Sequence, residues 1–210
     1  MKTRVSSLLA VLLAVGLTLG CGGDPPKADL DAASQALQAA RDAGAEKYAG
    51  GELASAQRTF DDAKTAYDAE AEKWFKNWDE VVKPGLADAT SKANAAAASA
   101  TEAKNAARSA AEAAIAEAAA AVEETRANLD AAPAGKGTEV DIEQLRTDLG
   151  GADSDLAAAR AGVDGEEFEE ATAKANSAMS TAEAVAGGVE QAVARYHDLV
   201  EKNTPWYLKM

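Results

Sequence analysis

Leu53, Phe60, Tyr67, Trp74 and Val81 stand seven residues apart in a chain of which about a quarter is alanine, and that period constrains the fold more than any other feature. A seven-residue apolar repeat returns to one face of an α-helix every two turns, whereas a strand alternates every second residue. The spacing recurs at Phe168, Ala175, Ala182, Val189 and Tyr196, while Ile142, Leu145, Leu149, Ala152, Leu156, Ala159 and Val163 fill successive a and d sites. A further series, Leu86, Ala93, Ala100, Ala107, Ala114 and Ala121, keeps the register almost wholly in alanine, with Ile115, Val122 and Leu129 on a neighbouring seam. Alanine has the best helix propensity and loses no side-chain entropy on folding. Such small seams let helix axes approach near the lower end of the usual range of about 8 to 10 Å. The predicted fold class is all-α: an elongated, antiparallel, alanine-rich and coiled-coil-like bundle in which a few bulky side chains fix the register.

Breaks in the pattern predict five helices. The first runs from Lys27 to Tyr48, with Leu30 and Leu37 one heptad apart, and closes at Gly50-Gly51. The second runs from Glu52 to about Val82 and is ended by Pro84-Gly85. The third, Leu86 to Ala131, would reach roughly 69 Å if straight. Ala132-Pro133-Ala134-Gly135-Lys136-Gly137 is the clearest loop. Thr138 with Asp141, and Asp164 with Glu167, have capping-box spacing and are expected to open a fourth helix and a fifth that runs to about Lys202. Leu37-Gln38-Ala39-Ala40-Arg41 also matches Leu156-Ala157-Ala158-Ala159-Arg160, each followed by a glycine-containing break and an aromatic-led helix, which points to a helix pair at both ends. The predicted organisation is a signal at 1–20, a tether at 21–26, the helical bundle at 27–204 and an aromatic tail at 205–210.

The prefix is of a different character. Lys2 and Arg4 precede an apolar run from Val5 to Leu19, and small Gly20 stands before Cys21, the only cysteine, which together read as an export signal. The run would span roughly 23 Å as a helix, short of the roughly 30 Å hydrocarbon core, so a retained transmembrane anchor is disfavoured. An Ala-x-Ala-like cleavage site is not visible. Leu17-Thr18-Leu19-Gly20-Cys21 instead resembles the lipobox of bacterial lipoproteins, with Thr18 where that family usually has leucine. The resemblance implies cleavage between Gly20 and Cys21, acylation of Cys21 with chains such as palmitate, and a membrane contact through that lipid. Gly22 rather than Asp follows the cysteine, which by resemblance to enterobacterial sorting implies the outer membrane, facing the periplasm. Gly22-Gly23 and then Asp24-Pro25-Pro26 read as a short tether stiffened by two prolines.

The formal charge is −14, and loss of Lys2 and Arg4 with the signal makes the remainder more negative by two. Such a body repels nucleic acid and anionic lipid headgroups. With Cys21 committed to lipid, no disulfide, thiol nucleophile or cysteine-ligated metal is expected. His197 is the only histidine, and its neighbour Asp198 points to another face of a helix, so the two do not form an oriented dyad. Glu166-Glu167-Phe168-Glu169-Glu170 and Asp153-Ser154-Asp155 lack the spaced oxygens and glycine of a calcium loop. Acidic side chains in a first helical turn are accounted for by the macrodipole. Neither a catalytic residue nor a metal or cofactor is predicted.

The aromatics are the remaining candidates. Trp74, Phe75 and Trp78 are expected to crowd one turn near the end of the second helix, and Trp206-Tyr207-Leu208 follows Pro205 in the tail. Two roles suit them: an end-plug in which Trp206 stacks near Trp74 or Trp78, or an exposed patch that docks a partner, since tryptophan and tyrosine dominate binding hot spots.

At Gly44-Ala45-Glu46-Lys47-Tyr48-Ala49, followed by Leu53, Ala56, Phe60 and Ala63, the chain also resembles a helical-hairpin domain of unknown function found in bacterial envelope lipoproteins. That family pairs a short helix with a long one across a turn, often beside a peptidoglycan-binding domain similar to the C-terminal part of outer-membrane protein A. Gly50 stands where the family usually has proline in the turn, and the matched stretch is about forty residues. The resemblance implies an envelope address and a hairpin, and no enzymatic activity. The expected function is that of a non-enzymatic envelope lipoprotein, a periplasmic scaffold, spacer or interaction module with an envelope protein as partner. The alternative is a module holding a hydrophobic or cationic small molecule between helices near Trp74 and Trp78. Oligomeric state is not legible, because the same heptads serve packing within or between chains.

Overall fold

The computed structural model describes residues 24–135 and 137–205. The fold is all-α, with seven helical segments and no strand among the described residues. They are α1 (Lys27–Asp42), α2 (Ala45–Tyr48), α3 (Gly50–Glu72), α4 (Trp78–Val81), α5 (Lys83–Ala131), α6 (Glu139–Asp164) and α7 (Phe168–Asn203). The five long segments are the five expected helices, while α2 and α4 are single turns at the joints. The chain divides into two compact units between Thr101 and Glu102, within α5.

In the first unit α1 and α3 run antiparallel. Leu37 and Ala40 pack with Leu53 and Ala56, whereas Leu30 and Ala33, nearer the start of α1, pack with Ala63 and Tyr67 farther along α3. Leu86, Ala89, Ala93, Ala96 and Ala100 of α5 complete this core at spacings of three and four. The hairpin turn differs from the expected Gly50-Gly51. The chain leaves α1 at Gly44, which adopts φ +85° and donates its N–H to the Arg41 carbonyl. A left-handed residue stops a helix by turning the next amides back onto its last carbonyls, and glycine does so without a Cβ clash. Gly50 and Gly51 instead lie in the first turn of α3.

The joint after α3 also differs from the one the sequence predicts. The second predicted helix is not continuous to Val82: α3 ends at Glu72, Lys73 is extended, and α4 starts afresh at Trp78. Its restart has a local cause, since the Asn77 side chain accepts the Glu80 N–H and donates to the Glu80 carboxylate, a reciprocal cap. Pro84 and Gly85 do not separate helices either. They lie in the first turn of α5, where proline's missing N–H would have no partner within the helix in any case. Gly85 serves contact, because a Cβ there would sit 3.0 Å from that of Ala63 on α3.

In the second unit α6 and α7 form the antiparallel pair, packed with the latter part of α5. Ile142, Leu149, Ala152, Leu156 and Ala159 of α6 face Ala175, Ala178, Ala182, Val185, Val189 and Ala192 of α7. The α5 contribution departs from strict sevens: Ala107, Ala114 and Ala121 are only partly buried, and Ala111, Ala118, Val122, Thr125 and Leu129 are buried instead. An undistorted α-helix drifts about 20° per heptad, so alanines with no bulky partner do not hold a 3.5-residue period. Neither predicted capping box forms. Thr138 turns its hydroxyl back to the Gly135 carbonyl, and Asp141 pairs with Arg195. Between α6 and α7 the amides of Glu166 and Glu167 bond the Val163 and Gly162 carbonyls, with Glu166 left-handed at φ +61°. That is a Schellman turn, which ends α6 rather than opening α7.

Candidate functional site

The aromatic triplet near the end of α3 is split by the helix break. Trp78 is 3% exposed and stacks on Tyr67, with ring centroids 5.1 Å apart at 40°. It joins Val82, Leu86 and Ala89 in closing one end of the first core, although its indole N–H finds no acceptor. Trp74 and Phe75, by contrast, are 90% and 85% exposed in the segment between α3 and α4. These rings therefore do not share a turn or close around a common cavity. One residue plugs the core and two face solvent.

What holds the two exposed rings out is a set of bonds centred on Glu70. Its carboxylate, 1% exposed, accepts the Lys73 ammonium at 2.7 Å and the Asn77 backbone N–H at 2.6 Å. Lys76 returns to the Ala71 carbonyl and lies 5.7 Å from the centre of the Trp78 ring, within cation–π range. The Lys73 hydrogen bond, and then that from Asn77, lower the Glu70 pKa against the opposing effect of burial. The loop is thus cross-braced from both of its ends, and Trp74 and Phe75 occupy its apex. Sequence reasoning missed Glu70 because a seam glutamate two heptads after Ala56 reads as an interruption. The detectable signal was Asn77 three residues before Glu80.

The remaining candidates are placed as follows. Gly20 and Cys21, with the signal and the tether as far as Gly23, lie outside the described residues, as do Trp206 and Tyr207. His197 is exposed on α7, edge-on to Tyr196 at 5.8 Å, while Asp198 pairs with Lys202 at 2.7 Å. In the acidic clusters Asp153 accepts both of its bonds from Arg126 (2.7 and 2.9 Å), Asp155 binds Lys174 and Ser177, and Glu166 binds Lys104 at 2.6 Å. These contacts use the carboxylates as cross-links between helices. Among the described residues no group of three His, Cys, Asp or Glu side chains is arranged to hold a metal ion. No helix among them is long and apolar enough to cross a membrane. No family model, curated protein or solved structure matches the chain.

Proposed function

We propose that this chain is a non-enzymatic cell-envelope lipoprotein, anchored through Cys21 and offering its helical units as a periplasmic scaffold, spacer or protein-interaction surface. The observation that carries the proposal is Leu17-Thr18-Leu19-Gly20-Cys21, with the only cysteine placed at the end of an apolar run behind Lys2 and Arg4. Each buried CH₂ contributes about 0.8 kcal/mol, so one acyl chain holds a protein marginally and two or three hold it stably. The described structure begins at Asp24 and turns helical at Lys27, directly after Pro26. That leaves a short spacer between the acylated residue and a folded unit. The outer membrane is the favoured leaflet because Gly22, not aspartate, follows Cys21.

The body's chemistry agrees with an interaction role. Asp153, Asp155 and Glu166 of its acidic clusters are tied to Arg126, Lys174 and Lys104, His197 is exposed, and its cores are rich in alanine. Fractionation of cells expressing the wild type and Cys21→Ala tests the proposal. The wild type is expected with membranes and cut before Cys21, whereas the variant, lacking the thiol whose acylation goes with cleavage, is expected to retain residues 1–20. A Cys21→Ala protein of unchanged processed mass that still partitions with membranes contradicts it.

A further inference from the structure

Four large apolar side chains are exposed among the described residues, and three of them, Trp74, Phe75 and Val81, belong to the loop after α3 and to α4. In a body this rich in charged surface two bare rings at a loop apex stand out, and concentrated exposed apolar surface marks an interaction site. The rings are not loose. Glu70 clamps the loop from beneath through Lys73 and Asn77, and Trp78 anchors its far side in the core, so the apex is a built projection.

The surroundings select the occupant. From Lys73 to Trp78 the segment carries two lysines and no acid, in a chain whose formal charge is −14. Aromatic rings flanked by lysine ammonium groups suit the bilayer interface, where rings settle at headgroup depth and lysine stems extend toward phosphates. Lys73 is already neutralised by Glu70, and Lys76 bonds a carbonyl, so the apex carries a single unpaired charge and its two rings make up most of its contact surface. An acidic protein partner would meet only that one charge, and a second copy of this acidic chain would be repelled.

Position within the first unit points the same way. Leu30, in the first turn of α1, packs in the same cluster as Tyr67 and Trp78, and Asp29 shares a surface groove with Lys83 and Leu86. The chain therefore enters the fold at the end that carries the aromatic loop. Six residue steps separate Cys21 from Lys27, a reach of at most about 20 Å. Acyl chains on Cys21 thus bring this end of the unit to the bilayer surface.

We infer that Trp74 and Phe75 form a second membrane contact, inserting into the headgroup region of the leaflet that holds the Cys21 acyl chains. The inference rests on the acylation proposed above. The acylated full chain, purified in detergent and reconstituted in phosphatidylethanolamine–phosphatidylglycerol vesicles, tests it with brominated acyl chains as the quencher. Wild-type emission minus that of Trp74→Phe isolates Trp74 and leaves Trp78 and Trp206 in place. The difference emission is expected to shift to shorter wavelength and to fall about twofold with brominated lipid, while aqueous iodide loses access. Emission that stays at long wavelength, open to iodide and untouched by brominated lipid, overturns the inference. So does emission shielded from both quenchers, which places the ring against protein. The mass of the Cys21 peptide in the same sample separates the two claims. Acylated Cys21 with unquenched Trp74 sinks the loop contact alone, whereas quenched Trp74 on an unacylated chain supports the loop contact and sinks the anchor.

Discussion

α3 and α7 start from the same seven-residue pattern and end differently. In α7, Phe168, Ala175, Ala182 and Val189 are all buried and Tyr196 is partly covered, with Ala175, Ala182 and Val189 in the core shared with α6 and the latter part of α5. In α3 the series starts buried at Leu53, is partly covered at Phe60 and Tyr67, and at Trp74 leaves the helix altogether. The α7 series is mostly alanine and valine, which fit wherever a neighbouring helix continues. The α3 series grows bulkier toward a point where the core is closed by Trp78, four residues after Trp74 and carried on a new turn. A heptad therefore reports a buried face only as far as a partner helix continues beside it, and local hydrogen bonding decides where it stops.

The sharpest way to break that comparison is to truncate the two tryptophans. Trp78→Ala is expected to cost about 3–5 kcal/mol in urea unfolding, as for other buried aromatic truncations. Trp74→Ala should stay within about 0.5 kcal/mol of the wild type, because its ring is 90% exposed. Equal losses would mean that Trp74 packs as its seven-residue spacing suggests. In α7, Ala182→Leu should cost about 1–3 kcal/mol by overpacking a fully buried site, read by the same titration. A neutral result would show the alanine seam to be loosely packed.

Smaller effects separate glycines that serve contact from those that do not. Gly151 on α6 has open space where a Cβ would sit, so Gly151→Ala should raise stability by roughly 0.5–1 kcal/mol. Gly188 on α7 would place a Cβ 2.5 Å from Leu145 Cδ2, so Gly188→Ala must displace that side chain and should gain less or lose. Thermal melts of the two variants side by side read the difference.

The subtlest comparison uses pH. Glu70 has its pKa lowered from 4.5 in the folded state, chiefly by the Lys73 hydrogen bond. Its contribution is therefore complete above the unfolded value and disappears as pH falls through the lower folded value. Stability of the wild type should decline below about pH 4.5, and Glu70→Gln should flatten part of that decline. Asp155 and Glu166 have lowered pKa values as well, through Ser177 and Lys104 respectively, and they preserve an acid sensitivity in the variant.

Much of this architecture was legible in the residues. The seven-residue series and the Pro133–Gly137 loop set the helical class and the five long helices, and the match of Leu37 with Leu156 anticipated a hairpin in each unit. The joints were less legible because turn chemistry depends on which competing hydrogen bond is made. Thr138 has the right spacing to cap α6 and bonds Gly135 instead, while Glu166 takes a left-handed conformation beside a glycine that does not. Pro84 reads as a terminator yet serves in a first turn. At the candidate site, tryptophan scarcity drew attention to the segment from Trp74 to Trp78. The division between a buried Trp78 and an exposed Trp74 depends on the Glu70 clamp, a contact between residues seven apart that periodicity alone counts as a seam position.

The central claim is that Cys21 is the processed, acylated N-terminus of the mature chain. Intact and peptide mass spectrometry of protein extracted from its native membranes measures this directly. The predicted result is loss of residues 1–20 and a diacylglyceryl thioether on Cys21. An N-terminal peptide that retains Gly20, or that carries Cys21 as a free thiol, would contradict it.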